Sequence, residues 1–308
     1  MIASQLCADS TSPLNFTAVN GPATVKLGKG GSNPDAISLQ YSTDNCATWL
    51  DYTIGQDIQL ASGAKVYFKA TSSNANFSKD INNCYRFDMT GTIAADGNIM
   101  SLLDATMQQT SVPDYAFCRL FEGCSSLTQA PALPATTLAE GCYYCMFKGC
   151  TSLTQAPALP ATILAVRCYE NMFLSCYSLI VNTEGPGTPW RIPDNATPAD
   201  GWNTDMFEGT GGNFTGNPEI GVTYYIASDT TTTTNVENVK NADYVVYSDH
   251  GRIFVNGAAG APASVYDVNG RLVATTDKAD ETHEFDVETA GIYFVRINDR
   301  ESVKVIVK

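Results

Sequence analysis

The sequence predicts a multidomain, mainly β protein with short helices. An N-terminal β-sandwich and a C-terminal immunoglobulin-like β-sandwich flank a short repeat solenoid. Three observations lead there. A 26-residue internal repeat runs through the middle of the chain. Segments of alternating polarity, bounded by turn residues, lie on both sides of it. The length of 308 residues suits two or three domains of about 100 residues each better than a single core. Charged residues make up 16% of the chain, below the roughly 25% of a typical soluble protein. Ser, Thr, Asn and Gly supply the polar surface instead, which suits β-rich extracellular proteins.

The first domain is placed at residues 1–92. Between Pro13 and Thr92 the candidate strands are Ala23 to Leu27, Ile37 to Tyr41, Asp57 to Leu60, Lys65 to Ala70 and Tyr85 to Met89. Gln40 to Trp49 reads as a hairpin, with Trp49 as a core anchor rather than a sugar platform. Cys46 and Cys84 are candidates for a disulfide, which an exported protein could keep. The sequence leaves the pairing open.

The second domain, residues 93–225, is built on the repeat. FEGCSSLTQAPALPATTLAEGCYYCM spans Phe121 to Met146, and FKGCTSLTQAPALPATILAVRCYENM follows from Phe147 to Met172. FLSCYSL opens a third copy at Phe173, and Met206-Phe207-Glu208-Gly209 marks another after an insertion at 182–205. At this offset Phe121, Phe147 and Phe173 form one column, and Leu127, Leu153 and Leu179 a second; both are predicted to be core. Cys142, Met146 and Cys150 lie four apart, as do Cys168, Met172 and Cys176, which predicts the inward face of a short helical turn. Pro157 and Pro160 exclude a continued helix, so Leu153 to Leu159 is expected to be extended. One unit cannot cover its own apolar face; neighbours must stack and the ends need caps.

The pattern MFKGCTSL followed by LPATILA resembles the leucine-rich repeats of BspA-like surface proteins of Bacteroidetes, over roughly Gly97 to Gly209. That resemblance implies a leucine-rich-repeat solenoid on a secreted or surface-displayed protein, with adhesion to host or bacterial partners.

Beyond the threonine-rich linker Asp229 to Asn235, the third domain, residues 240–308, returns to strands. They are Tyr244 to Ser248, Ile253 to Asn256, Ser264 to Val268, Leu272 to Thr275, His283 to Asp286, Ile292 to Ile297 and Val303 to Val307, with a hairpin turn at Asn269-Gly270. The runs Val265 to Val273, Ala290 to Ile297 and Lys304 to Lys308 resemble the C-terminal sorting domains of type IX secretion. The resemblance implies delivery to the outer surface. An immunoglobulin-like cap without a sorting role is the alternative.

Chemistry is sparsely signalled. The two histidines, His250 and His283, lie far along the chain from the cysteine-rich repeats, and the HExxH, GxSxG and GxxxxGK[ST] signatures are missing. Cys142-Tyr-Tyr-Cys145 has CxxC spacing. Yet Cys124, Cys150 and Cys176 recur with the period, as do Cys142 and Cys168, so the cysteines read as small apolar residues of a stacked spine. Cys145, whose counterparts are Arg119 and Asn171, is expected to face outward. The acidic loop Asp277 to Asp286 reads as a solvated face. The sequence therefore predicts a non-enzyme with no catalytic, cofactor-binding or metal residues and no cofactor. The net charge of −14 disfavours nucleic acid and anionic lipid. No apolar run approaches the roughly 20 residues of a transmembrane helix, and Met1 to Cys7 is too short for a signal peptide.

The expected function is binding of an extracellular protein or glycan. The candidate contacts are Gln129, Gln155, Thr128 and Thr154 on the strand segment, the tyrosines Tyr143, Tyr144 and Tyr169, and Trp190 and Trp202 of the insertion. A non-binding structural component of a surface assembly is the alternative, with a glycan-directed hydrolase behind it. Ligand identity and oligomeric state stay open.

Overall fold

A computed structural model describes residues 12–31, 36–75, 77–227, 245–249, 252–256, 261–267, 270–276, 282–287, 291–297 and 303–307. The chain is mainly β. Among the described residues, helix is confined to one 3-10 turn, Ile99–Leu102, started by Asn98, whose side chain accepts from Met100 N. Two compact units divide the chain at Ser228 and Asp229, and each has its own apolar core.

The first unit begins with β1 (Asn15–Lys29), β2 (Leu39–Ser42), β3 (Leu50–Tyr52), β4 (Ile58–Leu60), β5 (Lys65–Ala70) and β6 (Tyr85–Asp96). Alternate residues of β1 (Phe16, Ala18, Ala23, Val25 and Leu27) are buried, as the period of two requires. β1 and β6 pair antiparallel along their lengths, with a register shift between Val19 and Thr24. Asn20 and Gly21 there have φ of 55° and 141°. Opposite them stands Gly91, where a Cβ would lie 2.5 Å from the Pro22 carbonyl oxygen. The bulge divides β1 between two partners, β5 at Asn15–Thr17 and β4 at Ala23–Val25. Where sequence suggests a sandwich, hydrogen bonding joins these strands in one seven-stranded sheet, completed by β8 of the repeat region.

The repeat region adds β7 (Ser111–Val112), β8 (Leu127–Gln129) and β9 (Thr137–Leu138). β8 lies parallel to β6, pairing Ile93 with Leu127, and β7 lies parallel to β9. One apolar cluster extends from Leu14 to Ile226, and the expected boundary at 92/93 falls inside β6.

Successive copies bond in register. Phe121 N donates to Met146 O, Phe147 N to Met172 O and Phe173 N to Met206 O. The rings of Phe87, Phe121, Phe147, Phe173 and Phe207 stack in one ladder, with centroids 5.3–5.6 Å apart and planes within 10°. The ladder therefore starts in β6. Its last step, Phe173 to Phe207, spans 34 residues rather than 26, so the insertion loops out and the frame resumes.

The short helix expected at Cys142 to Cys150 is a run of linked turns. Cys142, Tyr144, Met146, Lys148 and Cys150 donate their N–H groups three residues back. The intervening Gly141, Tyr143, Cys145, Phe147 and Gly149 donate theirs to the next copy. An α-helix would satisfy all of these donors internally; here half of them join the copies together. Cys142, Met146 and Cys150 still point inward and are fully buried.

Over the last copy folds a three-stranded antiparallel sheet of β10 (Val181–Asn182), β11 (Thr188–Trp190) and β12 (Tyr224–Ile226). Trp190 packs edge-on against Phe207 at 5.3 Å, and Phe214 at 6.1 Å. Together they cover the end of the ladder.

The second unit contains β13 (Val245–Asp249), β14 (Arg252–Asn256), β15 (Ala263–Asp267), β16 (Leu272–Thr276), β17 (Thr282–Asp286), β18 (Gly291–Ile297) and β19 (Val303–Val307). They form two antiparallel sheets, β13-β14-β17 and β16-β15-β18-β19, around Val255, Val265, Phe285, Val295 and Val305. Gly270 has φ of 77°, as the expected turn needs. The linker Asp229 to Asn235, His250, Asn269 and the first part of the acidic loop at Asp277 lie outside the described residues.

Candidate functional site

Four of the seven predicted contact residues belong to the core. Tyr143 and Tyr169 are about 1% exposed and stack face to face at 5.9 Å, with Phe117 beyond Tyr143 at 6.1 Å. Trp202 takes the column of Cys142 and Cys168, since its carbonyl accepts from Tyr169 N, and it lies edge-on to Tyr169. Trp190 is buried, and its indole N–H donates to Pro157 O at 2.9 Å. All four are buried, against the outward position expected of contact residues. What remains outside is Gln129, which is exposed, and Gln155 and Tyr144, which are half-buried. Gln155 Nε2 lies 3.5 Å from Ala227 O. Thr128 and Thr154 are also half-buried, and Thr154 N donates to Thr128 O between copies.

Residues not singled out by sequence are more open. Tyr177 is 64% exposed, Ile163 53% and Val166 43%. They stand where the frame points outward: Ser125, Thr151 and Tyr177 share one column and Glu140 and Val166 another. Their exposure was hidden in the sequence because apolar residues inside a repeat look like core. Trp49 is half-exposed rather than a core anchor, with Lys69 Nζ 4.0 Å above its ring. Its neighbour Leu50, which opens β3, is exposed as well.

Cysteine chemistry follows burial. All seven repeat-region cysteines are free and buried. That includes Cys145, which sequence places outside; it occupies a left-handed turn position, φ 52°, and is 3% exposed. Cys124, Cys150 and Cys176 donate to Phe87 O, Phe121 O and Phe147 O at 3.0, 3.1 and 3.0 Å. Cys124 thus ties the first copy to β6, and Cys150 and Cys176 each tie a copy to the one before. Desolvation pushes the Cys124, Cys168 and Cys176 thiols up to about 12, so they stay protonated and unreactive at neutral pH. Cys46 is disulfide-bonded while Cys84 is a free thiol, so the pairing of Cys46 with Cys84 is not made.

Among the described residues no group of three or more His, Cys, Asp and Glu side chains could hold a metal ion, and no helix is long and apolar enough to cross a membrane. A family model described as a domain of unknown function (DUF6383) matches residues 233–307, which covers the second unit. No curated protein and no solved structure matches the chain.

Proposed function

We propose that this chain is an exported, non-catalytic binding protein of the BspA-like kind. Its stacked copies form a short leucine-rich-repeat solenoid, and its outward columns contact an extracellular protein or glycan. The observation that carries the reading is the contrast between columns. Inward positions repeat in kind, as in the Phe ladder from Phe87 to Phe207. The outward positions Ser125, Thr151 and Tyr177, or Glu140 and Val166, differ freely on the same frame. A rigid scaffold with variable exposed positions is how solenoids present binding surfaces. The disulfide at Cys46 supports an oxidising compartment, and the resemblance of the second unit to sorting domains supports delivery to the outer surface. The acidic balance favours partners that are neutral or basic.

The test is binding of the purified chain to an array of matrix proteins and of host and bacterial glycans. Alongside it goes a variant carrying Ile163→Ser, Val166→Ser and Tyr177→Ala. Saturable binding that the variant loses, with an unchanged melting temperature, is the expected result. Absence of binding together with self-association would replace this reading with that of a structural component.

A further inference from the structure

Two free thiols that the repeat does not explain meet at one turn. Cys118 has Tyr144 and Glu170 as its counterparts one and two copies on, so the stacked spine gives no reason for a cysteine there. Cys84 lies outside the repeat, directly before β6. Folding brings them together through the turn at Asp80. The Asp80 carboxylate accepts from Asn82 N at 2.8 Å, Asn83 N at 2.9 Å and Asn83 Nδ2 at 2.8 Å, which closes the turn. The turn docks on the segment that leads into the first copy: Arg119 Nη1 donates to Ile81 O at 3.1 Å, and Cys118 Sγ lies 3.7 Å from Asp80 O. On its other side Cys84 O accepts from Gly30 N at 2.7 Å. A Cβ at position 30 would sit 3.0 Å from Cys84 Sγ, so the glycine leaves room for the thiol. Both thiols are buried, 1% and 0% exposed, and the Asp80 turn on which Cys118 Sγ rests runs directly into Cys84.

We propose that Cys84 and Cys118 are an oxidisable pair that closes to a disulfide and staples the N-terminal sheet to the segment that leads into the first copy of the repeat. The oxidant is a small-molecule disulfide such as glutathione disulfide. Both thiols being buried, the oxidant enters when the turn at Asp80 opens locally; the Cys84 thiolate then attacks one of its sulfurs and expels a glutathione thiolate. Cys118, which the same opening brings to solvent, loses its proton there, attacks the Cys84 sulfur and expels the second glutathione. Two thiols lose two protons and two electrons; the oxidant takes both electrons and becomes two thiols. Cys84 suits the first attack. The Cys118 thiol beside it, with Arg119 and Arg86 behind, holds its thiol below the usual range, while the same contact and burial push Cys118 well above it.

Trypsin separates the two residues cleanly. Cleavage after Lys79, Arg86 and Arg119 leaves Cys84 as the single cysteine of peptide 80–86 and Cys118 as the single cysteine of peptide 87–119. The native chain is incubated with glutathione disulfide, its remaining thiols are alkylated, and it is digested without reduction. The expected product is a linked 80–86/87–119 species that reduction splits. It should come with a rise in melting temperature of about 10 °C for a staple closing this loop. Cys84→Ala should yield neither. Alkylated Cys84 and Cys118 after prolonged oxidation would overturn the proposal, as would Cys118 linked to peptide 120–148, which carries Cys145. Peptide mapping of the unmutated chain decides the matter even where the variant fails to fold.

Discussion

Tyr143 concentrates at one residue the conflict between a stacked apolar core and a polar atom. Its ring is held between Phe117 and Tyr169 with planes within 9° and 4°. Its hydroxyl is buried with no hydrogen-bond partner among the described residues. Desolvation pushes that phenol far above its usual range, so it stays neutral. An unsatisfied buried hydroxyl costs about 1–3 kcal/mol. The preceding copy already shows the remedy, because Phe117 fills the same column without one. Tyr143→Phe is therefore expected to leave stability unchanged or to raise it by about 1 kcal/mol. Urea unfolding of the two chains side by side measures this. A loss above 1 kcal/mol would mean that the hydroxyl has a partner, such as an ordered water, that the protein depends on.

The turn run obeys a rule at the level of the element that no single residue displays. Every fourth backbone position is left-handed: Gly141, Cys145 and Gly149 in one copy, Arg167, Asn171 and Ser175 in the next. Left-handed φ costs an L-residue about 1–2 kcal/mol, least for Asn and Gly. Asn171→Val is thus expected to destabilise the unit by about 2 kcal/mol, and Asn171→Gly by well under half of that. Comparing denaturation midpoints of the two variants tests whether backbone conformation or the lost amide sets the cost. The same geometry explains what the sequence disclosed. A spacing of four correctly places Cys142, Met146 and Cys150 inside, because both a helix and this turn run return to one face every four residues. It misidentifies the backbone for the same reason. Strand signals fare best where turns are sharp, as at β5 and β19, whose bounds coincide with the expected ones. They stop short in β1 and β6, where Asn20-Gly21 and Gly91 look like breakers and are instead the two sides of a bulge. Of the contact residues, Gln129 stays outside. Trp202 is buried in a column that is invisible without the 34-residue offset at which the frame resumes, and Trp190 is buried because β11 lays it over the end of the ladder.

At the scale of the whole molecule, cooperativity should follow the cores rather than the three sequence segments. The Phe ladder begins at Phe87 in β6, and Phe16 of β1 lies 4.8 Å from Phe87 and 6.1 Å from Phe121. Loss of the N-terminal sheet would strip the first copy of its cover, and loss of the copies would expose β6. The two are expected to unfold as one. The second unit packs around Val255, Val265 and Val295 in a cluster of its own. Unfolding enthalpy scales with chain length at about 0.7 kcal/mol per residue near 60 °C. Calorimetry of the chain should therefore resolve two transitions whose enthalpies stand at roughly three to one, following the lengths of units 1–228 and 229–308. Ending the chain at Ser228 should remove the smaller transition and leave the larger at its temperature. Three transitions would instead mean that the ladder breaks between β6 and the first copy. The proposed Cys84–Cys118 staple spans that joint, and oxidation should then raise the temperature at which the two parts separate.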